Sequence, residues 1–532
     1  MDDLLKSALV GTATQSVSSD SGHPADAVLD GLDIDPEHSL LLKAGVRAIW
    51  RQAGHVSRRD LPAMTPSPLE ATPALSEKAV TALQTTLTGN SRELLPEFLT
   101  RLAATGRRLP PELLPEALTP VGRSTEVRNS IRAVLGERGR WLARLNPDWA
   151  WAAGEDVTAA DDAALTRIWE EGSVAERIEA FSRLRTLNPT DARARLVEVI
   201  GKEKADARAR LMDGLSTGLS IADEPFLEDV LGDRSESVRT VAAALLARLP
   251  ASRLVARMTD RADAMLSTER GGLLKRKLKL VCTPPAEIDK EWLRDGVPKD
   301  TPTKSGRGKR AVWLETVLAC VPPEHWTTRF DAAPAGLVVA AEADDFGDAI
   351  LRGWTRSSIT SSTGAAAWRL PLAEFWVRRA TDAGGKKADP RELTASAGHL
   401  RDLFPRLDPP DADRLLSPLL EMSGGGNVER VGTPVLDMLA ELPRPWSVAL
   451  SRNYLRIAKQ VFAEKRPRGY WWANTLPSAA AALAPETLGE ALQVFAEPDD
   501  DLTPSPYRHS LDRFNASVRL RGDFLNELHV EP

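Results

Sequence analysis

Two cysteines, three tyrosines and seven histidines among 532 residues leave little material for several kinds of chemistry. Cys282 and Cys320 show no paired-ligand spacing, and a secreted chain of this length would commonly carry a disulfide framework, so a reducing compartment is expected. The histidines (His23, His38, His55, His325, His399, His509 and His529) never recur two, three or four residues apart, which excludes a helical metal site of the His-Glu-x-x-His kind. No apolar run approaches the roughly 18 residues needed to span a bilayer. The opening MDDLLKSALV also lacks the basic segment and cleavage site of a signal peptide, so the chain is expected to be cytoplasmic, with no membrane partner.

A basic excess is missing too. The net charge is −6, whereas a surface that grips a nucleic-acid backbone normally carries an excess of Lys and Arg. The Gly308–Lys309 pair lacks the other parts of a phosphate loop: Thr303 stands where the first Gly belongs and Arg310 where Ser or Thr belongs. No GxSxG elbow occurs, and GGGN at 424–427 lacks a strand–turn–helix context. These absences predict no metal, no cofactor and no catalytic residue, hence a protein that is not an enzyme.

What the chain does have is a repeat. Arg177, Arg208 and Arg239 lie 31 residues apart, as do Leu184, Leu215 and Leu246, and again Leu196, Leu227 and Met258. Each unit holds two short helical patterns, such as EPFLEDVL followed by ESVRTVAAALLARLP. A two-helix unit of this size cannot bury its apolar face alone, so neighbours must stack. The abundance of Ala, Leu, Arg and Glu agrees with helix. The predicted fold is all-α: a HEAT-like α-solenoid of stacked helix pairs, its array interrupted by loops. Asp223 and Asp233 read as N-caps of the helices that follow them.

The organisation reads as an N-terminal helical region with a Pro-rich connector (1–120), the repeat region (121–282), a basic loop (283–310) and a C-terminal helical region (311–532). Within these, helices are expected over 1–17, 38–54, 76–88, 91–105 and 124–145, and the repeat signal weakens beyond 311.

Two segments stand out as interaction candidates. KRPRGYWWANTLP at 465–477 compresses Arg466, Arg468, Tyr470, Trp471 and Trp472 into a turn. Arg, Tyr and Trp dominate interface hot spots because they offer rigid area with a polar tip. The other reading is that the tryptophans fill the last core layer. In the basic loop, Lys304, Arg307, Lys309 and Arg310 bunch together as a possible contact for an acidic partner.

The phrase LEDVLGDRSESVRTVAAALLARLP at 227–250 resembles a HEAT-type repeat. That resemblance implies an Asp–Arg ladder between units, with Asp233 and Arg239 in the two roles and Arg177 and Arg208 in the same arginine column. More broadly, ALVGT (8–12), NPDWAW (146–151), KRAVWLETVLACVPPEHW (309–326) and RPWSVALSR (444–452) look like an uncharacterised bacterial family. Its HEAT-like members are often encoded beside a MoxR-type AAA+ ATPase, a von Willebrand factor A protein and a SWIM zinc-finger protein. The resemblance carries over no activity and no functional residues. It implies a scaffold or adaptor that binds protein, the ATPase or the von Willebrand factor A protein being the partner. Two other classes stay open: a nucleic-acid-binding or DNA-glycosylase-like HEAT protein, and a spacer with no specific ligand.

Overall fold

The computed structural model describes residues 3–14, 23–29, 31–53, 65–70, 75–89, 91–119, 125–153, 159–270, 278–300, 307–361, 364–383, 390–424, 428–463, 469–495 and 507–529. It divides into two compact units, Met1–Pro68 and Leu69–Pro532. The first holds the helices Asp3–Val10 and Pro36–Ala53 with a short turn at Pro24–Leu29. Its interior is charged: Arg47 grips the Asp26 carboxylate with two hydrogen bonds of 2.9 and 2.7 Å, and Lys43 is buried as well.

The second unit begins with the helices Glu77–Thr88, Leu95–Ala104, Leu114–Leu118, Thr125–Ala133 and Gly136–Leu145. They enclose a core around Leu83, Phe98, Leu102, Leu114 and Leu135 that runs across residue 120. The single helix expected over 124–145 is in fact two. Gly136 takes φ +65°, a left-handed conformation that breaks the helix and lets the Glu70 carboxylate accept the Glu137 N–H at 2.9 Å. A Cβ at Gly136 would strike that carboxylate.

In the repeats, all six column leucines and methionine (Leu184, Leu215, Leu246, Leu196, Leu227 and Met258) are buried in one core. The arginine column forms a continuous polar ladder. Arg177 pairs with Glu203 at 2.6 Å; Arg208 donates to the Glu203 carbonyl and to the Asp233 carboxylate, both at 2.8 Å; Arg239 donates to the Asp233 carbonyl at 2.7 Å and reaches the Leu293 carbonyl. Asp233 therefore serves both neighbours, its carboxylate the preceding arginine and its main chain the following one. It is not the helix cap predicted above: its carboxylate takes the Ser235 N–H, ahead of the helix Glu236–Leu246.

Asp223 does stand at the N-cap position of the helix Glu224–Val230, but its carboxylate makes no capping bond there and instead accepts the Ser220 N–H at 3.0 Å, closing a capping box on the turn before it. The residue is fully buried and ion-paired to Arg185 (2.9 Å) and Arg193 (2.9 Å). Burial pushes its carboxyl up, but the hydrogen bonds from Arg185 and Arg193 more than reverse this and hold it below the usual carboxylate range. With a folded pKa below the unfolded value of about 3.9, the stabilisation is fully present above that value and is lost as pH falls through the folded pKa. We expect unfolding free energy to drop steeply below about pH 4, and Asp223→Asn to show a shallower acid limb in denaturation series across pH. Equal limbs would contradict this linkage.

An antiparallel hairpin, Leu266–Arg270 with Leu278–Cys282, interrupts the helices. This short hairpin is a local exception within an all-α fold: LSTER continues directly from the helix Arg253–Met265 and carries no strand alternation long enough to read. The stretch expected as a loop over 283–310 also contains structure. The helix Lys290–Arg294 is capped by Asp289, and the buried Asp295 behind it is held by Arg257 (2.7 Å) and Arg261 (2.8 Å).

From residue 309 onward the helices form two rows. Lys309–Cys320, Gly347–Thr360, Pro390–Leu403, Val428–Glu441, Gly469–Ala482 and Arg508–His529 pack in sequence, each against the next. Pro334–Glu342, Ala366–Ala383, Pro409–Gly424, Val448–Ala463 and Leu488–Val494 do the same alongside them. Alternation between two rows is the geometry of an α-solenoid, so the stacking continues through the C-terminal half. Ion pairs stitch neighbouring members of a row at 35–40 residues' separation, as in Arg456–Glu421, Arg378–Glu342 and Arg414–Glu374. That spacing exceeds the 31 of the first repeats and varies, which is why the sequence period fades.

The array then closes on itself. The last helix, Arg508–His529, packs on the first helices of the unit, Glu77–Thr88 and Leu95–Ala104. Phe524 stacks on Phe98 with ring centroids 3.9 Å apart, both rings fully buried. The Arg521 guanidinium, also fully buried, binds Glu97 (2.5 and 3.0 Å) and the carbonyls of Ala480 (3.0 Å) and Leu483 (2.6 Å). Each phenylalanine contributes about 1.5–3 kcal/mol by burial. A buried ion pair roughly breaks even against its desolvation. The rings thus drive the closure and Arg521 fixes its register.

Candidate functional site

The helix Gly469–Ala482 carries the aromatic candidates, and its register separates them. It starts at Gly469, where a Cβ would collide with the Tyr507 ring. Trp472 shares a face with Leu476, Ala479, Ala480 and Leu483 and is fully buried, tilted against Tyr454 at 5.3 Å with its indole N–H 3.5 Å from the Ser423 carbonyl. As an interface anchor Trp472 is therefore corrected to core. Tyr470 and Trp471 lie outside, 61% and 40% exposed, and meet edge to face at 5.7 Å. The i, i+4, i+7 pattern from Trp472 through Leu476 to Ala479 was available in the sequence and would have made this distinction. Arg466 and Arg468 lie outside the described residues.

Trp471 edges a groove of about 270 Å³ between Gly469–Ala482 and Val428–Glu441. Leu436, Leu439, Ala440, Trp446 and Ala479 make its apolar lining, and Asp437, Asn474, Thr475 and Ser478 supply polar groups. Sequence reading missed the opposite wall, which comes from a helix some 35 residues earlier and lines up only through the row packing. The tyrosine hydroxyl beneath, Tyr454, shares a 2.8 Å hydrogen bond with Thr475, and burial pushes its phenol well above the ordinary range, so it stays neutral.

The basic cluster is dispersed. Lys304 lies outside the described residues. Arg307 is ion-paired with Glu315, and Lys309 with Asp300 at 3.2 Å. Arg310 donates to the Pro284 carbonyl at 3.0 Å and lies over the Phe346 ring at 5.4 Å. All three make intramolecular contacts, and the Lys309 side chain stays half-exposed. A second cleft of about 310 Å³ is likewise balanced internally: Arg378 binds Glu342 at 2.5 Å, and Arg379 meets Asp348 at 3.2 Å and Glu392 at 3.4 Å.

Both cysteines and His399 are held in structural surroundings. Burial pushes the thiols of Cys282 and Cys320 up to about 12, far from the thiolate form a nucleophile needs. Burial and the neighbouring Arg352 bring His399 down to about 3; the neutral ring stacks on Trp376 at 4.3 Å and accepts from Arg352 at 3.2 Å. Among the described residues no group of three or more His, Cys, Asp or Glu is placed to hold a metal ion, and no helix is long and apolar enough to cross a membrane.

Paired rows of helices around a continuous core, with a part-apolar groove between neighbouring helices, define an α-solenoid protein. The chain belongs to the family of unknown function DUF5691, whose model matches residues 3–528. That agrees with the resemblance to an uncharacterised family spanning nearly the full length. No curated protein matches the chain. Among solved structures it is similar to Kap121p bound to Pho4p and to a Kap121p mutant, each at 12% identity and a TM-score of 0.24. The alignments cover 98% and 97% of this chain and 51% of either Kap121p chain, so it spans about half their length.

Proposed function

We propose that the protein is a non-catalytic scaffold or adaptor that acts in the cytoplasm and docks a protein partner at the Trp471 groove. The observation that carries this reading is the exposure of Tyr470 and Trp471 beside an apolar groove, on a helix whose other tryptophan is buried in the core. An exposed aromatic pair next to a pocket is the pattern of an interface anchor. A MoxR-type AAA+ ATPase or a von Willebrand factor A protein is the partner that the sequence resemblance suggests.

The two neighbouring tryptophans give a paired test. Trp471→Ala should weaken capture of such a partner by about thirtyfold, roughly 2 kcal/mol, with little change in the melting curve. Trp472→Ala should instead cost about 3–5 kcal/mol of folding stability, because it empties a core position. Partner capture by titration calorimetry and melting curves on both variants decide the matter. Unaltered binding by the folded Trp471→Ala variant would remove the groove from the proposal, and failure of both candidate partners to bind the parent protein would remove the partner assignment.

A further inference from the structure

Arginine has a recurrent setting in this chain. Arg177 lies over the Trp169 ring at 4.9 Å and pairs with Glu203 at 2.6 Å. Arg261 lies over Trp292 at 5.0 Å and pairs with Asp295 at 2.8 Å. Arg352 lies over Trp376 at 5.4 Å and pairs with Asp348 at 2.6 Å. Each guanidinium serves an indole and a carboxylate at once. The combination is physically sound, since the flat, weakly hydrated cation stacks on the electron-rich ring while its N–H fork donates to the carboxylate.

The Trp471 groove has the indole and the carboxylate without the arginine. Asp437 and Trp471 line the same space of about 270 Å³, and both are exposed. Asp437 is the one charged side chain among the described lining residues, and it makes no hydrogen bond or ion pair with any other described residue. Elsewhere in this row of helices such a carboxylate is met from the next helix: Glu315 of Lys309–Cys320 faces Arg356 of Gly347–Thr360 at 3.5 Å, 41 residues on. At the level of Asp437 the next helix, Gly469–Ala482, offers Asn474, Thr475 and Ser478 but no cation. The aliphatic lining of Leu436 and Leu439 suits the methylene stem that carries a guanidinium.

We propose that the groove takes an arginine side chain of the docking partner, its guanidinium on the Trp471 ring and paired with Asp437. This rests on the groove being the docking site, and it adds the chemistry the partner must present: an arginine flanked by aliphatic residues.

The probe is the tripeptide acetyl-Leu-Arg-Leu-amide, titrated into full-length protein labelled with 5-fluorotryptophan. Fluorine NMR follows the Trp471 resonance, assigned by its loss in Trp471→Phe. That resonance should shift saturably with a dissociation constant of about 1 mM, which a ligand of this size can reach. Replacing the arginine by citrulline keeps the shape and removes the charge, and should weaken binding at least about tenfold. Asp437→Asn should do the same with an unchanged melting curve, because the carboxylate is exposed and unpaired. A citrulline peptide that binds as tightly, or an Asp437→Asn variant that binds as tightly as the parent, overturns the arginine assignment while leaving the groove a docking site. No saturable shift with either peptide overturns it too, and partner capture by Trp471→Ala then judges the groove separately. If Asp437→Asn and the double variant Arg466→Ser, Arg468→Ser both lower the melting temperature, an arginine of this chain fills the groove and the proposal falls.

Discussion

Arg521→Met should cost about 3–5 kcal/mol of folding stability, a large effect for a single charge. The side chain is wholly buried between the last helix and the first helices of its unit. Its removal leaves Glu97 without its counter-charge and the Ala480 and Leu483 carbonyls without a donor. The loss should be localised. Hydrogen exchange should show protection falling together in the helices Glu77–Thr88, Leu95–Ala104, Gly469–Ala482 and Arg508–His529, with the repeats around 205–265 affected less. Arg452→Met provides the contrast. Arg452 makes three hydrogen bonds to Glu490, yet both side chains are largely in water, and exposed pairs contribute about 0–1 kcal/mol. If the two variants were equally stable, the closure would not be held as described.

The second large effect is expected at Arg185. This guanidinium, also fully buried, binds both oxygens of Asp223 (3.1 and 2.9 Å) and the carbonyls of Pro189 (2.7 Å), Thr217 (2.9 Å) and Gly218 (2.9 Å). It thereby ties the turn between two repeats to the helix of the preceding one. Arg185→Met fills the volume and deletes the donors. The remaining Arg193–Asp223 pair cannot reach the carbonyls, so a loss of about 3–5 kcal/mol is expected in denaturant titrations. Arg185→Lys should restore only part of it, because an ammonium has three donors and no planar fork. A change within about 0.5 kcal/mol for the methionine variant would show that the network contributes nothing net.

The solenoid was legible where one period governs both packing and sequence. Leu184, Leu215 and Leu246 recur every 31 residues because each fills the same place in successive units. Past residue 309 the units lengthen unevenly, so equivalent positions no longer share a spacing although the rows persist. The ladder was half legible: the arginines are columnar, but Glu203 and Asp233 sit in turns of differing length, and both Arg208 and Arg239 also use main-chain carbonyls that no side-chain pattern encodes. Phe98–Phe524 and Glu97–Arg521 were not legible, since no local signal links positions 426 and 424 residues apart in sequence. At the candidate site, composition pointed to the right helix and not to the right residue. Trp471 and Trp472 differ only in which side of that helix they occupy.

The closed circuit also sets an order of events during synthesis. Phe98 leaves the ribosome early, but the ring that covers it belongs to Phe524, and at roughly 5–20 residues per second the wait is about 20–85 s. Through that interval the opening helices carry an uncovered aromatic face, a ready binding site for a chaperone that holds nascent chains. A chain that ends before residue 508 loses the whole last helix and Phe524 with it, leaving a permanently unfinished first core.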